Sequence, residues 1–138
     1  MQACVNWAFA EICDRATSVD ELHAAFMREI RELGFTHAAC ASHVDPLRPP
    51  TDAVMMVDYP LVWLQRFSDQ NYAKRDPVYW RARRQTLPFQ WSDRAFRAGL
   101  SADQLQILNE AAEVGLIDGI TIPIHAPDAL TASCSLVI

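Results

Sequence analysis

Two stretches of the chain are punctuated alike. Ser18-Val19-Asp20-Glu21 and Ser101-Ala102-Asp103-Gln104 each place a serine three residues before Glu or Gln, the sequence form of a capping box that opens a helix. Each opens an amphipathic run that glycine ends, Gly34 in the first case and Gly115 in the second. After each glycine comes a strand-like stretch, THAACASHV at 36–44 and GITIPIH at 119–125. Helices that each bury one face, interleaved with strands, require a sheet to pack against.

The remaining elements fill in around these two units. Val5, Ala8, Phe9 and Ile12 give a helical stripe over 3–16. The first helix face after Ser18 is Leu22, Ala25, Phe26, Ile30 and Leu33. AVMMVDY at 53–59 reads as a second strand, reached through the proline-rich loop DPLRPPTD. Pro60 starts a helix with Leu61, Leu64 and Phe67 expected inward, and another helix runs from Pro77 to about Arg84. PFQWS reads as irregular, and TASCSLVI at 131–138 as a last strand. The order α-α-β-β-α-α-α-β-β predicts an α+β domain, with an antiparallel sheet between helical layers. The last strand is still running at Ile138, so more protein is expected beyond it.

With 138 residues the chain fits one domain, and with 51% hydrophobic and 21% charged residues it has an ordinary globular balance. A net charge of −5 argues against gripping a phosphate backbone. The local basic cluster Lys74, Arg75, Arg81, Arg83 and Arg84 reads as a solvated helix face. No apolar run is long enough for a membrane span, and the N-terminus lacks the basic start of a signal peptide. Cys4, Cys13, Cys40 and Cys134 form no CxxC pair and read as reduced, buried thiols of a cytoplasmic protein. His37, His43 and the other two histidines show no metal-ligand spacing. Neither GxSxG nor GxGxxG occurs in a chain with only four glycines. No catalytic residue, metal or cofactor is expected.

Chemistry gathers instead in VDYPLVWLQRFSDQNYAKRDPVYW at 57–80. A carboxylate among so many rings must be solvated or matched to a donor. Taken singly, Trp63 and Trp91 read as core, Tyr59 as a helix-entry aromatic, and Asp76 as the N-cap of a helix with Pro77 at its first position. Taken together, Tyr59-Pro60, Trp63, Phe67, Tyr72, Asp76-Pro77 and Leu87-Pro88 followed by Trp91 resemble the autoinducer-binding domain of LuxR-type transcription regulators. The resemblance continues through Ala111-Ala112, Gly115 and Gly119 to Ser135, and covers about residues 20–138.

The resemblance implies an α/β/α sandwich holding an N-acyl-homoserine lactone between sheet and helices. It implies that Asp76 accepts from the ligand's amide N–H, that Tyr59 donates to the amide carbonyl and that Trp63 donates to the lactone carbonyl. Ser135 adds a hydroxyl near the amide, Trp91 packs flat on the lactone ring, and Phe96 adds apolar wall. Phe67 stands where the family often has Tyr, which removes a hydroxyl able to reach a 3-oxo group. Val78 is expected to border the acyl tail beside the small strand residues 38–42, and Tyr79 or Trp80, if turned inward, would shorten the cavity or stack on an aryl acyl group. The expected acyl group is medium-to-long, branched or aromatic. Gly119 is expected to let its strand and the preceding helix approach closely.

Ligand binding, folding and homodimerisation are expected to be linked. Promoter DNA is to be read only by a C-terminal helix-turn-helix domain that these residues do not include. A second reading keeps the fold as a ligand-free or other-ligand dimerisation or anti-activator module.

Overall fold

The computed structural model describes residues 7–45 and 48–138. Val5 of the first predicted stripe, Cys4 and the Pro46-Leu47 step of the proline-rich loop lie outside them. Six helices and five strands follow in the order α1 (Trp7–Arg15), α2 (Val19–Glu32), β1 (His37–Ser42), β2 (Met55–Asp58), α3 (Leu61–Asp69), α4 (Pro77–Arg84), β3 (Phe89–Gln90), α5 (Arg94–Ala98), α6 (Ala102–Glu113), β4 (Gly119–Ile124) and β5 (Ala132–Val137). A single 3₁₀ turn, Tyr72–Lys74, separates α3 from α4. The strands form one antiparallel sheet in the order β2-β1-β5-β4-β3. The α+β class is therefore as expected, but two elements were missed. β3 and α5 both lie in or just after the stretch read as irregular, and both are too short to show a period.

The caps behave unequally. Ser101 and Gln104 form a complete reciprocal box at α6. At α2, Ser18 accepts from the Glu21 N–H at 3.1 Å, but the Glu21 carboxylate turns back to the backbone and hydroxyl of Thr17. Gly34 and Gly115 end their helices at φ +98° and +101°, a left-handed conformation that costs glycine little.

The two sheet faces differ. On one, Met27 and Ile30 of α2 bury Ala38, joined by Phe26, Phe35 and Leu136. α1 adds Phe9 against Phe26 at 6.5 Å between ring centroids, while Ile12 stays largely exposed. On the other face lies the larger core, built from Trp63, Tyr72, Phe89, Trp91, Phe96, Ile107, Leu108, Leu116 and Val137 among others. In α3 the expected inward set is corrected: Leu61 is 82% exposed and Leu64 partly so, and the face toward the core is carried by Trp63 with Phe67 one turn on. Hydropathy misleads in β4 too. Gly119, Thr121 and Pro123 point inward, while Ile120, Ile122 and Ile124 face outward.

The cysteine expectation is also corrected. Cys40 and Cys134 sit directly opposite each other on β1 and β5 and are joined as a disulfide. Ninety-four residues separate them in the chain, so only the strand register brings them together. Cys13 is free and half-buried. Reduced thiols therefore no longer argue for a reducing compartment.

Candidate functional site

Between the sheet and α3, α4 and α6 lies a cavity of about 720 Å³. Its floor is the face of β1, β2 and β5 that carries Ala39, Ala41, Val57, Ser133 and Ser135. The alanines leave the space open, because a larger side chain on β1 would fill it. Tyr59, Trp63, Phe67, Asp76, Val78, Trp91 and Ser135 all line this one cavity, although they come from five different segments. Phe96 does not. It is 1% exposed, lies behind the wall against Phe89 at 5.1 Å, and has the Arg81 guanidinium over its ring at 5.7 Å.

Asp76 caps α4, with Pro77 at the first helical position and Oδ1 accepting from the Val78 N–H at 3.0 Å. Burial pushes its carboxyl up to about 6, against the pull of the Val78 and Tyr79 amides. The group is thus a partly desolvated acceptor. Tyr59 is raised as well, by burial first and by the Asp76 charge second, with the nearby Ser135 hydroxyl working the other way. Its phenol therefore stays protonated and available as a donor.

The two tryptophans have different roles in the wall. Trp91 donates its indole N–H to Thr121 Oγ1 at 2.8 Å, and Thr121 shares a 2.7 Å hydrogen bond with Ser135. Only its ring is left to face the cavity. Trp63 packs against Phe67 and Tyr72 at 6.0 Å from each, and among the described residues nothing accepts from its indole N–H. An unengaged donor thus lines the same cavity as the Asp76 acceptor.

Two positioning residues were missed in the sequence. Thr121 is fully buried and links Trp91 to Ser135, but a threonine within an apolar strand gave no signal of this. Asp118 holds the Trp91 segment in place, accepting from Gln90, from the Ser92 amide and hydroxyl, and from the Gly119 amide. Burial alone would raise the Asp118 carboxyl, but these hydrogen bonds outweigh it and hold it below its usual value. The role expected of Gly119 is corrected: a Cβ there would stand 2.9 Å from the Trp91 ring and 3.1 Å from the Leu136 carbonyl. Its absence admits an indole, not a helix.

Tyr79 and Trp80 both turn toward the cavity. The basic cluster is solvated, as its sequence implied. Lys74, Arg75, Arg83 and Arg84 are exposed and Arg81 is half-buried, and guanidinium groups among them also rest on rings. Arg75 lies over Tyr72 at 5.3 Å, and Arg83 lies over Tyr79 and Trp80 at 5.7 and 5.3 Å. Among the described residues no group of three or more His, Cys, Asp or Glu side chains gathers for a metal, and no helix is long and apolar enough to cross a membrane.

A largely apolar cavity with one carboxylate, a phenol and an indole N–H on its wall has the character of a small-molecule pocket. The family model for the autoinducer binding domain matches residues 18–138. The chain belongs to the autoinducer-binding domain family of LuxR-type quorum-sensing regulators. It is 36% identical over 115 residues to the HTH-type quorum-sensing regulator RhlR of Pseudomonas aeruginosa, covering 82% of this chain and 45% of that protein. Among solved structures it resembles CepR2 of Burkholderia cenocepacia, described as an N-acylhomoserine lactone dependent LuxR family factor. The TM-score is 0.75 at 18% identity, over 95% of this chain and 74% of that one. SdiA in complex with octanoyl-rac-glycerol superposes with a TM-score of 0.73 at 17% identity, over 99% of this chain and 56% of that one. At such identities the structural likeness speaks for the fold alone. The chain spans about half the length of the curated relatives it matches. Those relatives are transcription regulators, not enzymes.

Proposed function

We propose that this domain binds an N-acyl-homoserine lactone in the cavity beneath α3 and α4 and signals its presence through folding and dimerisation. The observation that carries the proposal is Asp76, a desolvated carboxylate held at a helix start and facing an apolar cavity also lined by two aromatic donors. The ligand's amide N–H satisfies the carboxylate, a charge-assisted bond contributing ~1.5–3 kcal/mol. Tyr59 donates to the amide carbonyl and Trp63 to the lactone carbonyl, while the Trp91 face covers the ring and the tail runs over Ala39 and Ala41. Each tail methylene buried adds ~0.8 kcal/mol. In the whole regulator a ligand-ordered dimer sets two helix-turn-helix units at half-site spacing on promoter DNA. Because Phe67 has no hydroxyl, unsubstituted tails are preferred to 3-oxo tails; a binding series that ranks 3-oxo ligands first overturns that preference.

One observation favours a second reading. SdiA, of the same fold, is described with octanoyl-rac-glycerol, an ester without an amide N–H. A ligand of that kind would meet Asp76 with a glycerol hydroxyl in place of an amide N–H. Mass spectrometry of small molecules extracted from the purified domain, expressed with and without a lactone panel, separates the two. A co-purifying lactone that is lost in Asp76→Ala supports the proposal. A wild-type domain that retains an acylglycerol and no lactone from the panel overturns it.

A further inference from the structure

The cavity's far end is polar, and its chemistry differs from that of the head site. Beyond Ala41, on the same face of the sheet, stands His43, whose amide extends the β1–β5 ladder to the Thr131 carbonyl at 2.7 Å. Four residues separate Ala39, beside Ser135, from His43, which at the strand rise is about 13 Å along the floor. There His43 Nε2 and Ser133 Oγ share a 2.9 Å hydrogen bond, and the Tyr79 ring meets the imidazole edge-on at 4.9 Å. Arg83 closes this end by lying over Tyr79 and Trp80. Nδ1 of His43 is buried with no hydrogen-bond partner. Burial, then the Arg83 and His125 charges, lowers the imidazole to about 4, so it is neutral near pH 7.

A neutral imidazole uses only one of the sites on the Ser133 hydroxyl, which offers one donor and two acceptor positions. The remaining capacity faces the cavity beside Ala41, Met55 and Val57, with Ser42 and Asp45 also on the lining at this end. A methyl-ended tail reaching this place would cover that hydroxyl without pairing it. A hydroxyl or carbonyl oxygen would pair it.

We infer that the domain selects an acyl tail carrying a hydrogen-bonding oxygen at its far end, read by Ser133 with His43 as the residue that orients it. This inference rests on the lactone reading of the head site. It makes His43 and Ser133 determinants of tail specificity, as Asp76 is of the head.

The test uses matched pairs of acyl-homoserine lactones, with six-, eight- and ten-carbon tails ending in methyl or in hydroxymethyl. Each is titrated calorimetrically into the wild-type chain and into Ser133→Ala, His43→Leu and Asp76→Asn, after circular dichroism has shown each variant to be folded. The expected result is at least tenfold tighter binding of the hydroxylated partner at one tail length, with the ratio falling to about one in Ser133→Ala or in His43→Leu. Lactone binding that depends on Asp76 but shows no hydroxyl preference overturns this inference and leaves the head reading standing. A hydroxyl preference that survives in both tail variants also overturns it. Failure of every lactone to bind the wild-type chain removes the head reading and this inference together.

Discussion

At neutral pH Asp76 carries its charge at a cost. With its carboxyl raised to about 6, the folded domain holds the proton more tightly than the unfolded chain, so this residue makes stability fall as pH rises from about 4 to 6. His43 works in the opposite sense over almost the same range. Its imidazole is lowered to about 4, the unfolded chain binds more protons, and stability rises with pH up to its ordinary value. Thermal melts of the ligand-free wild-type domain should therefore change little between pH 4 and 6.5. Asp76→Asn should expose the rising His43 limb, and His43→Leu the falling Asp76 limb; identical profiles for all three proteins would refute the opposition. At pH 7, Asp76→Asn should be more stable than wild type when ligand-free, by the order of 2 kcal/mol, yet lose lactone binding. Denaturant titration with and without ligand measures both. Such a trade marks a group kept for function rather than for the fold.

At the scale of elements, the site depends on how β3, β4 and β5 present Trp91. Asp118 ties down the segment, Thr121 takes the indole N–H, and Gly119 leaves the space beneath the ring. Gly119→Ala should push the indole out of place and destabilise the domain by about 1–3 kcal/mol, read by denaturant melts and a shift in tryptophan emission. Thr121→Val keeps the volume but leaves the Trp91 N–H and the Ser135 hydroxyl short of a partner. It should cost ~1–3 kcal/mol and weaken ligand binding, measured in the same melts with ligand added. Thr121 did not stand out in the sequence; Gly119 did, but with a helix rather than an indole expected against it. The helices did, because capping serines, glycine stops and a 3.6-residue period are written locally. β3 and α5 did not, since two and five residues are too few for a period to appear. In β4 the outward isoleucines reversed the usual alternation, and the inward face is accounted for by the polar contacts of Thr121 and the room Gly119 leaves for the Trp91 ring.

For the whole molecule, the cavity of about 720 Å³ separates two packed layers, and a ligand that fills it completes the larger core. Cognate ligand at a hundredfold excess over Kd should stabilise the domain by ~2.7 kcal/mol. For a chain of this size that is roughly a 10 °C rise in Tm, read by differential scanning calorimetry. No rise with any lactone or acylglycerol would remove the sensor reading. Much of this was legible along the chain. The α+β class and both serine caps follow from local patterns, whereas the set Tyr59, Trp63, Phe67, Asp76, Val78, Trp91 and Ser135, which lines one cavity, was implied only by the resemblance to a known family. What only the tertiary structure decided is which of those side chains have spare hydrogen-bonding capacity. Thr121 uses up the Trp91 N–H, the Trp63 N–H is left free, Phe96 falls behind the wall, and Cys40 meets Cys134 across ninety-four residues. These are pairings between segments far apart in the chain. They depend on strand register and on distances of a few ångströms, and a linear sequence records neither.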